Sequence, residues 1–159
     1  MEERIILGLD PGYGRMGFGV IHVEGHTLHL LDYGVATTPT GMPFGERLHS
    51  LATDLDEILE HHEPDLVAIE KLYFGKSSST AMKVAEARGV AQLMVAQSDI
   101  PICEFTPAQI KKALTGNGRA GKTAMQTMVK TLLGLEQVPK PDDAADAIAA
   151  AITASTMKL

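Results

Sequence analysis

Hydrophobic and polar positions along the chain divide it into short apolar strands early and amphipathic helices late. Ile5-Ile6-Leu7-Gly8-Leu9 is an apolar run that reaches Asp10 and then the breaker pair Pro11-Gly12. Such a run predicts a buried strand over Arg4–Asp10 whose last residue carries a carboxylate at a sheet edge. Met16–Val23 and Leu28–Thr38 read as second and third strands, with turn glycines between the first two, so the opening predicts an antiparallel meander. From Pro43 to His62, Phe44, Leu48, Leu51, Leu55 and Leu59 recur on one helical stripe. Asp65–Glu70 is a short apolar strand that again ends in an acid. A helix over Ser78–Gln97, a fifth strand over Ile100–Phe105 and a short helix over Pro107–Leu114 follow. After a glycine-rich loop come a helix over Thr123–Leu133 and an Ala-rich helix beyond Pro141. Three strands and then alternating helices and strands predict an α/β protein with one mixed sheet covered by helices.

Asp10 and Glu70 both close apolar strands, where open α/β sheets place their ligand crevice. Turn chemistry alone would explain one such acid, since Asp commonly opens an Asp-Pro-Gly turn. Two further acids change that balance. In Pro141-Asp142-Asp143-Ala144-Ala145-Asp146, the first acids suit the positive end of a helix dipole. Asp146 sits three residues after Asp143 on the same face, followed by Ala147, Ala150, Ala151 and Ala154. A face of alanines packs closely on a sheet, so Asp143 and Asp146 are expected to meet Asp10 and Glu70 in one pocket. Four carboxylates that close need cations, and hard oxygen ligands select Mg²⁺ or Mn²⁺. A pair of such ions is suited to in-line phosphodiester cleavage.

Composition adds limits. The 159 residues, 45% apolar and 21% charged, suit a single domain with a real core. No stretch is apolar enough to cross a bilayer, and Met1-Glu2-Glu3-Arg4 is no signal peptide, so no membrane role is expected. The single cysteine, Cys103, reads as an apolar filler and points to a reducing, cytoplasmic setting. Histidines are scattered, and His61-His62 reads as a solvated helix end.

A net charge of −6 excludes nucleic-acid binding through overall basicity, but the charges are sorted along the chain. Phe105–Leu135 holds no acid while carrying Lys111, Lys112, Arg119, Lys122 and Lys130; Lys71–Ala85 is also acid-free and holds Lys71, Lys76 and Lys83. Local positive patches in an acidic protein suggest a polyanionic ligand. Lys111 and Lys122 bracket the Gly116–Gly121 loop and are assigned to stabilising charge that develops on a phosphate. Lys112 and Arg119 are assigned to backbone-phosphate contacts.

Gly116–Thr123 satisfies the G-x-x-x-x-G-K-[ST] pattern, which carries its mechanism only when a buried strand runs into it. A polar segment of helical rhythm precedes it instead, so an ATP-binding loop is a minor alternative. Asp10-Pro11-Gly12 with Gly14 and Gly17 also resembles the first phosphate motif of actin-like ATPases, but one lobe cannot supply their second.

Gly8-Leu9-Asp10-Pro11-Gly12, Ala68-Ile69-Glu70, Ala87-Arg88-Gly89-Val90-Ala91, Gln109-Ile110-Lys111 and Asp143-Ala144-Ala145-Asp146-Ala147, in this order, resemble the RuvC family of Holliday-junction resolvases. The resemblance covers nearly the whole chain. It implies an RNase H-like fold, a five-stranded mixed sheet flanked by helices, as one nuclease domain over residues 1–159. It also implies Mg²⁺-dependent paired nicking of four-way junction DNA in recombination and repair. Asp10, Glu70, Asp143 and Asp146 match the family's acidic positions and Lys111 and Lys122 its basic ones. Tyr73 falls where the family carries an aromatic that enters the junction, with Phe74 beside it as the other candidate. Symmetric cutting implies a homodimer, for which Met82, Val84, Ala85, Ala87, Val90, Ala91, Met94 and Val95 are interface or core candidates. Branch-migration proteins are the further partners implied. A catalytically silent junction-binding protein on the same fold is the alternative.

Overall fold

A computed structural model describes residues 2–71 and 78–157. Five strands form one sheet: β1 (Glu3–Pro11), β2 (Arg15–Glu24), β3 (Thr27–Thr37), β4 (Leu66–Glu70) and β5 (Ile102–Phe105). Their order is β3-β2-β1-β4-β5, with β1–β2 and β2–β3 antiparallel and β1–β4 and β4–β5 parallel. The meander and the mixed sheet are as the apolar pattern predicts. Differences lie at strand ends. β1 runs through Asp10 to Pro11, which pairs with Met16, and β5 begins at Ile102 rather than Ile100.

Helices cover both faces. α1 (Phe44–His62) and α2 (Ser78–Gln97) pack on Leu7, Leu9, Val20, Val67 and Ile69. α3 (Pro107–Thr115), α4 (Lys122–Leu132) and α5 (Asp142–Ser155) cover Ile6, Ile21, Val23, Leu66 and Ala68 on the other. Successive strand residues face opposite ways, so one strand feeds both cores. None of the described helices is long and apolar enough to cross a membrane.

α5 is buried along nearly its full length because three glycines beneath it leave room for its backbone. A Cβ at Gly8 would fall 1.8 Å from the Ala147 carbonyl oxygen, and one at Gly19 2.3 Å from Ile148 Cγ1. At Gly17 a Cβ would fall 2.2 Å from the Asp143 carbonyl oxygen. Ala144, Ala147, Ala150, Ala151 and Ala154 complete this close contact from the helix side.

Only His61 of the histidine pair is a solvated helix end. The His62 side chain is 11% exposed and its Nε2 lies 2.9 Å from Asp32 Oδ2, which fastens the end of α1 to β3. Cys103 is half-buried, its Sγ 3.6 Å from the Val67 carbonyl, and burial raises its pKa.

Candidate active site

Alternation along the strands aims the first two acids. Asp10 shares the face of Ile6 and Gly8, and Glu70 that of Leu66 and Ala68, so both carboxylates point toward the α3–α5 layer. β1 and β4 run parallel with Leu9 beside Ile69, which sets Asp10 and Glu70 one step further along adjacent strands. Asp10 is paired with Gly17, the residue over which the head of α5 descends.

α5 supplies the rest. Asp143 lies in its first turn and Asp146 one turn on, and together with Asp10 they offer carboxylate oxygens that all lie within 4.8 Å of one another. Glu70 stands outside this trio. It lines a neighbouring cavity of about 310 Å³ together with Lys111, Lys122, Gln126 and Asp146. Asp146 therefore borders both groups.

Crowding and burial leave a clear electrostatic signature. Burial first, then the charges of Asp146, Asp143 and Glu70, push the Asp10 carboxyl up to about 7, against a smaller opposing pull from Arg15. Glu70 is raised by burial and by Asp146, opposed by Lys111. Asp146 is raised chiefly by burial, with Lys122 opposing and Asp143 and Asp142 adding to the rise. Such a cluster carries more negative charge than its own cations relieve, and its donors are all hard oxygens. The set fits Mg²⁺ or Mn²⁺, with Asp10, Asp143 and Asp146 as the residues that would hold an ion and Glu70 at its border.

Two partners of the cluster escape a reading of the sequence by motif. Arg15 forms an ion pair with Asp143. Its period-2 relation to Gly17 places it on the α5 face and was the available signal. Asp142 pairs with Lys122 and accepts a hydrogen bond from Gln126 Nε2 at 3.1 Å, which ties the head of α5 to α4. That contact holds Asp142 low and Lys122 high. Its dipole role alone did not indicate this.

The basic side is carried by α3 and the loop after it. Thr106 and Gln109 form a reciprocal capping box with Pro107 in the first turn, and the left-handed Gly116 ends the helix. Lys111 is half-buried beside Glu70, whereas Lys112, Arg119 and Lys122 are exposed. Because a helix and not a strand enters Gly116–Thr123, the geometry of a nucleotide-binding loop is missing. Tyr73, Phe74 and Lys76 lie outside the described residues.

Comparison with known proteins gives the same reading. The family model described as crossover junction endodeoxyribonuclease RuvC matches residues 6–154. The chain belongs to the RuvC family. Members from Alkaliphilus oremlandii and Chloroflexus aggregans are each 51% identical, over 93% and 92% of this chain and 90% and 89% of their own. Among solved structures, Thermus thermophilus RuvC in complex with Holliday junction substrate superposes with a TM-score of 0.90 at 33% identity, covering 94% of this chain and 92% of that one. A yeast mitochondrial Holliday junction resolvase, Ydc2, at a TM-score of 0.66 and 14% identity over 94% of this chain and 78% of its own, shares the fold. The sheet and its helices are thus the RNase H-like resolvase fold expected from the motifs.

Proposed function

We propose that this chain is a divalent-metal-dependent endonuclease that resolves four-way DNA junctions by paired nicks. The observation that carries the reading is the convergence of Asp10, Asp143 and Asp146 within 4.8 Å, with Glu70, Lys111 and Asp146 together lining the adjoining cavity. Family membership supports the reaction class, and the Thermus relative is seen bound to a Holliday junction substrate.

Mg²⁺ bound among these carboxylates would supply Lewis-acid polarisation of the phosphodiester and lower the pKa of an attacking water. The chain's own residues do the remaining work. Asp10, Asp143 and Asp146 present carboxylate oxygens at fixed separation, because Gly8 and Gly17 let α5 sit directly on the sheet. Arg15 orients the Asp143 carboxylate. Lys111 presents its ammonium on the Glu70 side of the cavity, where it opposes negative charge building on phosphate oxygens. Lys122, tethered to Asp142 at the start of α4, adds positive charge at the rim. Lys112 and Arg119, both exposed, are suited to backbone phosphates farther along the DNA. Tyr73 and Phe74 remain the candidates for stacking on an opened base, and Lys76 for a phosphate contact.

Two coordinated nicks call for two copies, and we assign the homodimer contact to α2. Ala87, Ala91 and Val95 face the core, while Met82 and Leu93 of the same helix are 63% and 56% exposed. A two-fold partner burying these side chains would set two catalytic clefts on one junction. The reading also takes residues 1–159 as one nuclease domain in the cytoplasm, fed by branch-migration proteins. A binding-and-cleavage assay with Asp10→Asn and Asp146→Asn tests it: both variants retain the junction in a gel shift but do not cut it. Cutting at the wild-type rate by either variant would overturn the assignment.

A further inference from the structure

Beyond the carboxylates, the turn after β1 carries a second group of charges. Tyr13 stands in that turn, and two cations from different helices converge on its ring. Arg47 of α1 lies with its Cζ 5.4 Å from the ring centroid, and Lys83 of α2 with its Nζ 5.5 Å away. Lys83 also lies 5.9 Å from the ring centre of Phe44 at the head of α1. Cation–π attraction holds each ammonium or guanidinium over an aromatic face, yet two like charges gathered at one ring repel each other. Among the described residues no carboxylate forms an ion pair with either one.

Arg47 has a structural duty. Its Nε donates to Thr38 Oγ1 at 2.9 Å, and Thr38 in turn donates through its hydroxyl and its backbone N–H to the Gly14 carbonyl, at 3.3 and 3.0 Å. The guanidinium crowds Gly14 so closely that a Cβ there would fall 2.2 Å from Nη2. One cation is thereby enough to fasten the turn. Lys83 is exposed and, beyond its contacts with the Tyr13 and Phe44 rings, makes no hydrogen bond among the described residues, so its donors stay open to a ligand.

Position supplies the use. The turn begins directly after Asp10, and Leu7 and Leu9 on the opposite strand face pack against α1 and α2. The Tyr13 group therefore lies at the same end of β1 as the carboxylates but on the α1–α2 side of the sheet, while Lys111, Lys112, Arg119 and Lys122 lie on the α3–α4 side. Positive charge thus flanks the acidic cleft on both sides. In the sequence, Lys83 lies in the acid-free interval Lys71–Ala85 suited to a polyanion.

We infer that Lys83 and Arg47, gathered on Tyr13, form a binding subsite for a backbone phosphate of a DNA arm on the side of the cleft away from α3 and α4. The inference rests on the proposed junction-cleaving activity and adds a second anchoring side to it. A contact of this kind positions the substrate and does not act on the reacting atoms. It appears in KM and in the salt dependence of binding, and kcat at saturating junction stays unchanged.

The experiment is a fluorescence-anisotropy titration of a labelled four-way junction in Ca²⁺ buffer over a range of KCl concentrations, with Lys83→Gln and Lys83→Glu in the full-length protein. Thermal unfolding is measured alongside, and cleavage is measured in Mg²⁺. One lost phosphate contact lowers the slope of log Kd against log salt by about 0.9, which is about an eightfold loss of affinity at 0.1 M salt. Lys83→Gln is expected to show both changes with its unfolding temperature unaltered, and Lys83→Glu a larger loss. Wild-type affinity and slope in both Lys83 variants would overturn the subsite while leaving the nuclease reading intact. A wild-type protein that neither binds nor cuts the junction would overturn both. Arg47→Lys keeps the charge but gives up the Nε–H bond to Thr38; it is expected to lower the unfolding temperature while retaining the wild-type salt slope. A reduced slope in that variant with Lys83→Gln normal would also count against the shared site.

Discussion

Gly17 lies opposite Asp10 in the β1–β2 ladder, and its missing side chain is the space into which the backbone of Asp143 descends, a Cβ there falling 2.2 Å from the Asp143 carbonyl oxygen. Gly17 thus helps set, at the head of α5, the distance between the strand-borne and helix-borne halves of the acidic cluster. Gly17→Ala should push the head of α5 off the sheet. Overpacking of this kind costs about 1–3 kcal/mol, and the same shift separates Asp143 and Asp146 from Asp10. Urea unfolding should register the stability loss, and cleavage should fall by more than the fraction unfolded explains. A variant with normal stability and activity would show that α5 tolerates displacement.

Asp10→Asn should stabilise the metal-free protein at neutral pH even as it removes activity. The folded protein keeps the Asp10 proton up to about pH 7, whereas the unfolded chain releases it near 3.8. A folded pKa raised in an acid means stability present at low pH and lost as pH rises from about 4 to 7. Asparagine carries no such penalty. In EDTA the variant should be about 2 kcal/mol or more above wild type at pH 8, with the difference vanishing toward pH 4. Calorimetry across this range checks both size and sign.

Adding Mg²⁺ should narrow that gap. An ion held by Asp10, Asp143 and Asp146 binds the native state alone, so wild type gains about 2.7 kcal/mol when the ion is at a hundred times its Kd. Asp10→Asn, short of one ligand, should gain far less. Unfolding temperatures with and without EDTA measure the difference.

Lys111→Gln should lower single-turnover cleavage by about 10²–10³-fold, the usual size for loss of one donor to developing charge, with junction affinity little changed. Its helix depends on a cap, so Thr106→Ala should cost about 1 kcal/mol by removing the bond to the Gln109 N–H. Comparing the two variants separates the ammonium's own role from the placement of α3.

Much of the site was legible because its acids occur where pattern and chemistry conflict. Asp10 and Glu70 interrupt apolar runs at strand ends, and Asp143 and Asp146 share a helix face that is otherwise alanine. The meander and the five strands follow from short apolar runs and turn glycines. Arg15 was not legible as a motif, since an arginine beside a turn reads as solvated until the facing helix is known. His62 reads as a polar helix end because its partner, Asp32, is thirty residues away on an edge strand. Likewise Gly8, Gly17 and Gly19 look like turn or strand-weakening residues until α5 is seen lying on them. The separation between Glu70 and the aspartate trio is also a matter of tertiary distance.

The most direct measurement is cleavage of a synthetic four-way junction and of a linear duplex of the same sequence, by wild type and Asp146→Asn, with Mg²⁺ titrated against EDTA. Wild type should nick the junction in two strands only when Mg²⁺ is present, leave the duplex whole, and lose all cutting with Asp146→Asn. Junction cutting that persists in EDTA, or at the wild-type rate in Asp146→Asn, would contradict the account.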